Sequence, residues 1–190
     1  MGFQITGLPE ADAVLDEYPL AVVVGMQLDQ QYGIEHAFRG GWKILTRFGT
    51  LDTAAIAAAD PEAFSEICRT PPAIHRFPAA KATAVQKLAV LVEERYDGDP
   101  ARIWAEAASG EDLLNRLEAL PAFGPQTSKI FVALLGKQMG VQPRGWKAAA
   151  GDYALKGHRS VADVTGPETL AKVREFKRQQ KKAAAKLAAG

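Results

Sequence analysis

The segment Leu120-Pro121-Ala122-Phe123-Gly124-Pro125-Gln126-Thr127-Ser128-Lys129 holds the residue types best spaced for chemistry in this 190-residue chain. Leu113, Leu114, Leu117 and Leu120 recur at helical spacing, and Pro121 ends that helix. Gly124 allows a sharp turn and the close approach of another backbone. Pro125 suits the first position of a second helix, where its missing N–H is not needed. The amides that follow, with the positive end of the helix dipole, form an anion site of the kind that holds a phosphate. Thr127 and Lys129 add a hydroxyl and a charge there. The same residues also fit an ordinary helical hairpin with Pro and Gly punctuation, and the charge map separates the two readings. Residues 1–118 hold 10 Lys and Arg against 18 Asp and Glu, while residues 119–190 hold 13 against 4. The basic half begins at the hairpin, which is the electrostatic footprint of a polyanionic partner such as a nucleic-acid backbone.

Acids are scarce in the basic half. Asp152 is the single acid between residues 119 and 162, and Asp163 follows in Ser160-Val-Ala-Asp-Val164, where it equally suits a cap for a helix opening at Pro167. In the acidic half, Asp29-Gln30-Gln31 closes an apolar run that starts at Leu20. Asp29 reads either as a helix-surface carboxylate or as an acid beside a pocket, where it would recognise an amino group or serve the chemistry. His75 and Arg76 precede a long helix, and a lone His is as often structural as functional. Trp146 and Tyr153 offer π-faces for stacking on a base, whereas Trp42 reads better as core. His36 has no carboxylate or cysteine at ligand spacing, so no catalytic metal is expected. The single cysteine, Cys68, excludes a disulfide framework and a cysteine-ligated iron–sulfur cluster.

These residues need helices to position them. The pattern predicts helices over residues 11–18, 20–32, 34–48 (interrupted near Gly40-Gly41), 53–59, 61–69, 79–96 and 101–108. The hairpin helices and a basic helix from about residue 166 follow, its Ala/Lys-rich end from residue 181 expected to fray. Ser109 and Asp112 resemble a capping box at the first hairpin helix. The expected class is all-α. The start Met-Gly-Phe-Gln-Ile-Thr lacks the basic stretch and apolar core of a secretory signal, and the longest apolar run, near Leu20–Met26, is too short to span a membrane.

With these residues in view, the chain resembles the helix-hairpin-helix DNA glycosylases of the HhH-GPD superfamily, and most closely their actinobacterial repair-type members. Leu120-Pro121-Ala122-Phe123-Gly124 is similar to that family's Leu-Pro-Gly-hydrophobic-Gly, with Ala122 in place of the first glycine, which suggests a slightly altered turn. Gln30-Gln31 resembles the glutamine pair beside the family's base pocket, and Phe77–Ala82 its loop-to-helix step. The resemblance implies a two-lobed helical fold without an iron–sulfur cluster, one domain over residues 1–190. Within it a helical lobe spans about 20–108, the hairpin helices 110–139 and a basic C-terminal helix 166–190. It implies a monomeric, cytoplasmic, nucleoid-associated bacterial protein that binds lesion-containing double-stranded DNA, flips the target nucleotide and hydrolyses its base–sugar bond. A carboxylate stabilises the oxocarbenium-like charge. Gln126 stands where bifunctional members carry a lysine, implying no lyase step. No acid stands near Arg144-Gly145-Trp146, where the family's catalytic aspartate falls. Asp152, in a segment resembling that of the alkylpurine enzymes, is the first candidate and Asp163 the rival. By the same resemblance, Leu120, Pro121, Phe123, Gly124, Gln126, Thr127, Lys129, Gln31, His75 and Arg76 contact DNA. Asp29, Gln30, Trp146 and Tyr153 line the base pocket. No cofactor is implied beyond a monovalent cation held by hairpin carbonyls. The alternative is a helix-hairpin-helix DNA-binding module that has lost the acid. A protein-binding helical scaffold is a third reading, which binding without steep salt dependence would favour.

Overall fold

Twelve α-helices and two short 3₁₀ turns make up residues 2–190, which this computed structural model describes, and no strand occurs among them. The class is all-α.

Proline sets several boundaries. α1 (Pro9–Glu17) and α2 (Pro19–Leu28) both carry proline in the first turn. Every residue of α2 from Leu20 to Leu28 is buried, so this helix, apolar all round, runs through the core. α3 (Ile34–Phe38) and α4 (Gly40–Phe48) follow, with the break at Arg39. α4 crosses α2 at a distance only glycine permits, because a Cβ on Gly41 would stand 2.6 Å from Ala21 Cβ. α5 (Thr53–Ala58) and α6 (Pro61–Arg69) are capped by Asp52 and Asp60, whose carboxylates accept from Ala55 and Ala63 N–H at 3.0 and 2.9 Å. Both pack on α7 (Pro78–Tyr96). The loop between α6 and α7 is held from α4. Lys43 Nζ donates to Ala73 O at 2.9 Å, and the Arg47 guanidinium donates to the carbonyls of Ile67, Thr70 and Pro72.

α8 (Arg102–Ala105), α9 (Gly110–Glu118), α10 (Pro125–Gln138) and α11 (Trp146–Ala150) form a second group around α10 with the 3₁₀ turns Gly151–Ala154 and Val161–Asp163. α12 (Pro167–Ala189) packs on the Val161–Asp163 turn and buries Val173. The two groups meet where α2 touches α10, and one apolar core runs through both.

Three elements depart from expectation. α2 stops at Leu28 because Asp29 and Gln31 leave helical geometry (ψ 57° and φ 57°), turning residues 29–33 across its end. α11 is a single turn that no periodicity marks; Trp146 holds it by packing its ring where a Cβ on Gly136 of α10 would lie, 2.4 Å away. α12 continues to Ala189 instead of fraying at residue 181, in keeping with the high helix propensity of Ala and Lys.

Candidate nucleic-acid interface and cleft

The hairpin joins α9 to α10. Ser109 Oγ accepts from Asp112 N–H at 3.0 Å as the N-cap, and Asp112 Oδ2 accepts from Ala108 N–H at 2.9 Å, one residue before the cap, a variant of the capping box. The turn's left-handed residue is Ala122 (φ 65°), while Gly124 is extended (φ −90°, ψ 177°). The turn therefore keeps its left-handed step with alanine in it, at a strain of about 1 kcal/mol that glycine would not carry. Gly124 needs no glycine for its backbone, and no atom lies within 4 Å of where its Cβ would be. Its room opens outward, in front of α10. No side chain caps α10, and the amides of Gln126 and Thr127 fall in the first turn, where a helix has no partner for them. Gln126 and Lys129 are exposed and Thr127 partly so. Leu120 and Phe123 are 3% and 7% exposed, and Phe123 stacks on Phe131 with centroids 6.1 Å apart. These two expected DNA contacts are instead the apolar feet of the hairpin. Pro121 is partly buried beside them.

Beneath the hairpin, polar groups of α2 and of the turn after it bind its backbone. Gln27 Nε2 donates to Pro121 O at 2.9 Å and Ala84 O at 3.1 Å, and Gln30 Nε2 donates to Ala122 O at 2.6 Å. Lys81 Nζ reaches Gln27 O and Gln30 Oε1, both at 3.3 Å. His75 is 3% exposed; its Nδ1 accepts from Phe77 N–H at 3.0 Å, which leaves Nε2 to donate to Gln30 O at 2.9 Å. Burial lowers its pKa and keeps it neutral. Two expectations change here. Gln30, absent from the cleft lining, ties the end of α2 to the hairpin, and the buried His75 is engaged in pinning the loop to the end of α2. Of the hairpin carbonyls expected to hold a cation, those of Leu120, Pro121 and Ala122 already accept from Phe123 N–H, Gln27 and Gln30.

Beside this bracket opens a cleft of about 1440 Å³. One wall is the turn after α2, with Asp29, Gln31 and Tyr32, together with Arg76 of the following loop. The facing wall is α10 and the Gly151–Ala154 turn, with Gln126, Ile130, Asp152 and Tyr153. α12 crosses its mouth with Phe176, Lys177 and Lys181, and Arg174 pairs with Glu35 of α3. The Gln126 amide donates to Tyr153 Oη at 2.9 Å, and the Arg159 guanidinium lies 5.6 Å from the Phe176 ring centroid. Asp152 is exposed; Asp29 is partly buried, and its carboxyl takes no hydrogen bond among the described residues. Burial pushes the Asp29 pKa up, and the Lys177 charge opposes that. A cleft of this size admits a nucleotide, since small-ligand sites occupy about 300–1000 Å³.

Asp163 lies elsewhere. Its carboxylate pairs with Lys137 Nζ at 2.7 Å and accepts from Arg159 N–H at 2.8 Å, with 9% of the side chain exposed. It anchors the chain after α11 to α10 and is absent from the cleft, so the candidate acid there is Asp152 and not Asp163. Trp146 is also withdrawn from the base pocket, because it is buried against Gly136. Trp42 is partly buried and packs on the core. Asp152, Tyr153, Asp29, Gln31, Arg76 and Gln126 do come together. Tyr32, Arg159 and Phe176 complete the cleft without a sequence signal, while Lys177 and Lys181 belong to the basic helix expected from about residue 166. No group of three His, Cys, Asp or Glu capable of holding a metal occurs among the described residues. No helix among them is long and apolar enough to cross a membrane.

No protein-family model matches the chain, and no curated protein matches its sequence.

Proposed function

We propose that the protein is a monofunctional DNA glycosylase of the helix-hairpin-helix type, hydrolysing the base–sugar bond of a damaged or modified nucleotide flipped into the cleft. In this reading the two helix groups are the two lobes of that fold, and the protein acts as a monomer on bacterial nucleoid DNA. The observation that carries it is the meeting of two unengaged carboxyls, Asp29 and Asp152, with Arg76, Lys177 and Lys181 in one cleft beside the uncapped start of α10. Phosphates would meet the amides of Gln126 and Thr127 and the charge of Lys129, and Gln31 and Arg76 would flank the flipped nucleotide. An ionised Asp152 would face the developing sugar cation. Gln126, bonded to Tyr153, cannot form a Schiff base, so strand cleavage would need added alkali.

The absence of an acid at Arg144–Trp146 favours a second reading, a DNA-binding module without catalysis. Duplexes carrying uracil, 5-hydroxymethyluracil, alkylpurines or mismatches, treated with protein and then alkali, decide between them. Breaks that depend on both protein and alkali support the glycosylase. No release across the panel, with binding that weakens steeply in salt, supports the module.

A further inference from the structure

Asp29 lies among side chains whose donors are engaged by the protein, while its own oxygens accept nothing from it. Its N–H is bonded to Gly25 O and Met26 O at 3.0 and 3.3 Å. Gln27 and Gln30 on either side are spent on the hairpin, and Gln30 O is taken by His75. The carboxyl between them is partly buried, accepts no hydrogen bond from the protein and is left to the cleft. The charged groups that face the same cleft are Arg76, Asp152, Arg159, Lys177, Arg178 and Lys181. None of the cations lies within ion-pair distance of Asp29, and Asp152 stands in water on the opposite wall. Two carboxyls in one cleft, one partly buried and one exposed, are suited to different roles.

We propose that Asp29 is a catalytic acid whose carboxyl protonates a ring nitrogen of the departing base, while the solvated carboxylate in the cleft is that of Asp152. As the C1′–N bond breaks, its electron pair leaves with the base and the proton comes from Asp29. Water adds to C1′ of the sugar cation and gives its proton to the Asp152 carboxylate and then to solvent, and solvent reprotonates Asp29. This inference rests on the glycosylase reading.

Single-turnover base release, measured against pH on the duplex that wild type cleaves best, tests it with Asp29→Asn and Asp152→Asn. For a base that is uncharged in the nucleotide, Asp29→Asn is expected to lose about 100-fold or more and to lose the fall in rate that wild type shows toward high pH. Asp152→Asn is expected to keep that fall. With 7-methylguanine, already cationic and needing no proton, the Asp29→Asn loss shrinks below about tenfold. Unchanged duplex affinity and unfolding midpoint for Asp29→Asn complete the support. An Asp29→Asn rate within about threefold of wild type, or one that keeps the wild-type pH dependence, overturns the assignment and leaves the glycosylase standing. Wild type that releases no base overturns the glycosylase reading and this step with it.

Discussion

The bracket under the hairpin and the cleft beside it use the same kinds of side chain in opposite ways. In the bracket, Gln27, Gln30, His75 and Lys81 give their hydrogen bonds to protein carbonyls, and Lys43 and Arg47 do the same for the loop before α7. In the cleft, Asp29, Asp152, Lys177 and Lys181 face open space. Gln27 and Asp29 are two residues apart, yet one stitches the fold and the other is free for a ligand. Polar residue types alone therefore say little; what separates structure from function is whether the group is already satisfied.

Stability should fall sharply on one side of that contrast and hardly at all on the other. Gln27→Met leaves the carbonyls of Pro121 and Ala84 without their donor in a buried setting, with an expected loss of about 2–4 kcal/mol in denaturant unfolding. Asp29→Asn should change stability by less than about 0.5 kcal/mol, or raise it. Comparable losses would abolish the distinction.

Lys43 sharpens it through pH. Burial holds its pKa down at about 8, against an ordinary 10.5. Below pH 8 it is protonated whether the chain is folded or not. Between 8 and 10.5 the unfolded chain keeps a proton that the folded protein has released, so stability should rise with pH across that window. The rise is at most about 3 kcal/mol and should disappear in Lys43→Met, as read from unfolding midpoints at several pH values.

Within the hairpin the effects are smaller. Ala122→Gly relieves a left-handed alanine and should stabilise by up to about 1 kcal/mol. Gly124→Ala should leave stability within about 0.5 kcal/mol, because its backbone is extended and its Cβ site empty, yet weaken duplex binding if a phosphate docks there. Equal binding by Gly124→Ala and wild type in a fluorescence titration would move the DNA contact away from the hairpin. Last, Lys177→Ala and Lys181→Ala should each lower the slope of log binding constant against log salt by about 1, if each meets one phosphate.

Much of the architecture was legible in the chain. Proline at helix starts, the aspartate cap at Asp60 and the Ser109–Asp112 pair are local devices whose chemistry acts within a few residues. The charge split at the hairpin was legible for the same reason, since it is a property of composition. α11 was hidden, because a single turn has no period and Trp146 holds it only through a contact with α10. The structural bonds of Gln30 and His75 were hidden because their partners lie 92 and 45 residues away. The chain order ranks Asp152 ahead of Asp163 only by resemblance, and the Lys137 pairing that binds Asp163 into the fold lies 26 residues away in sequence.

The amino-acid order by itself determined most of the helices, the hairpin and the charge split, since each follows from backbone propensity, local hydrogen bonding or summed charge. Tertiary structure alone decided which polar groups are consumed and which are left over. Satisfaction of a buried donor or acceptor depends on groups distant in the chain, and that is what leaves Asp29 and Asp152 open in one cleft while Asp163, Gln30 and His75 are bound into the fold.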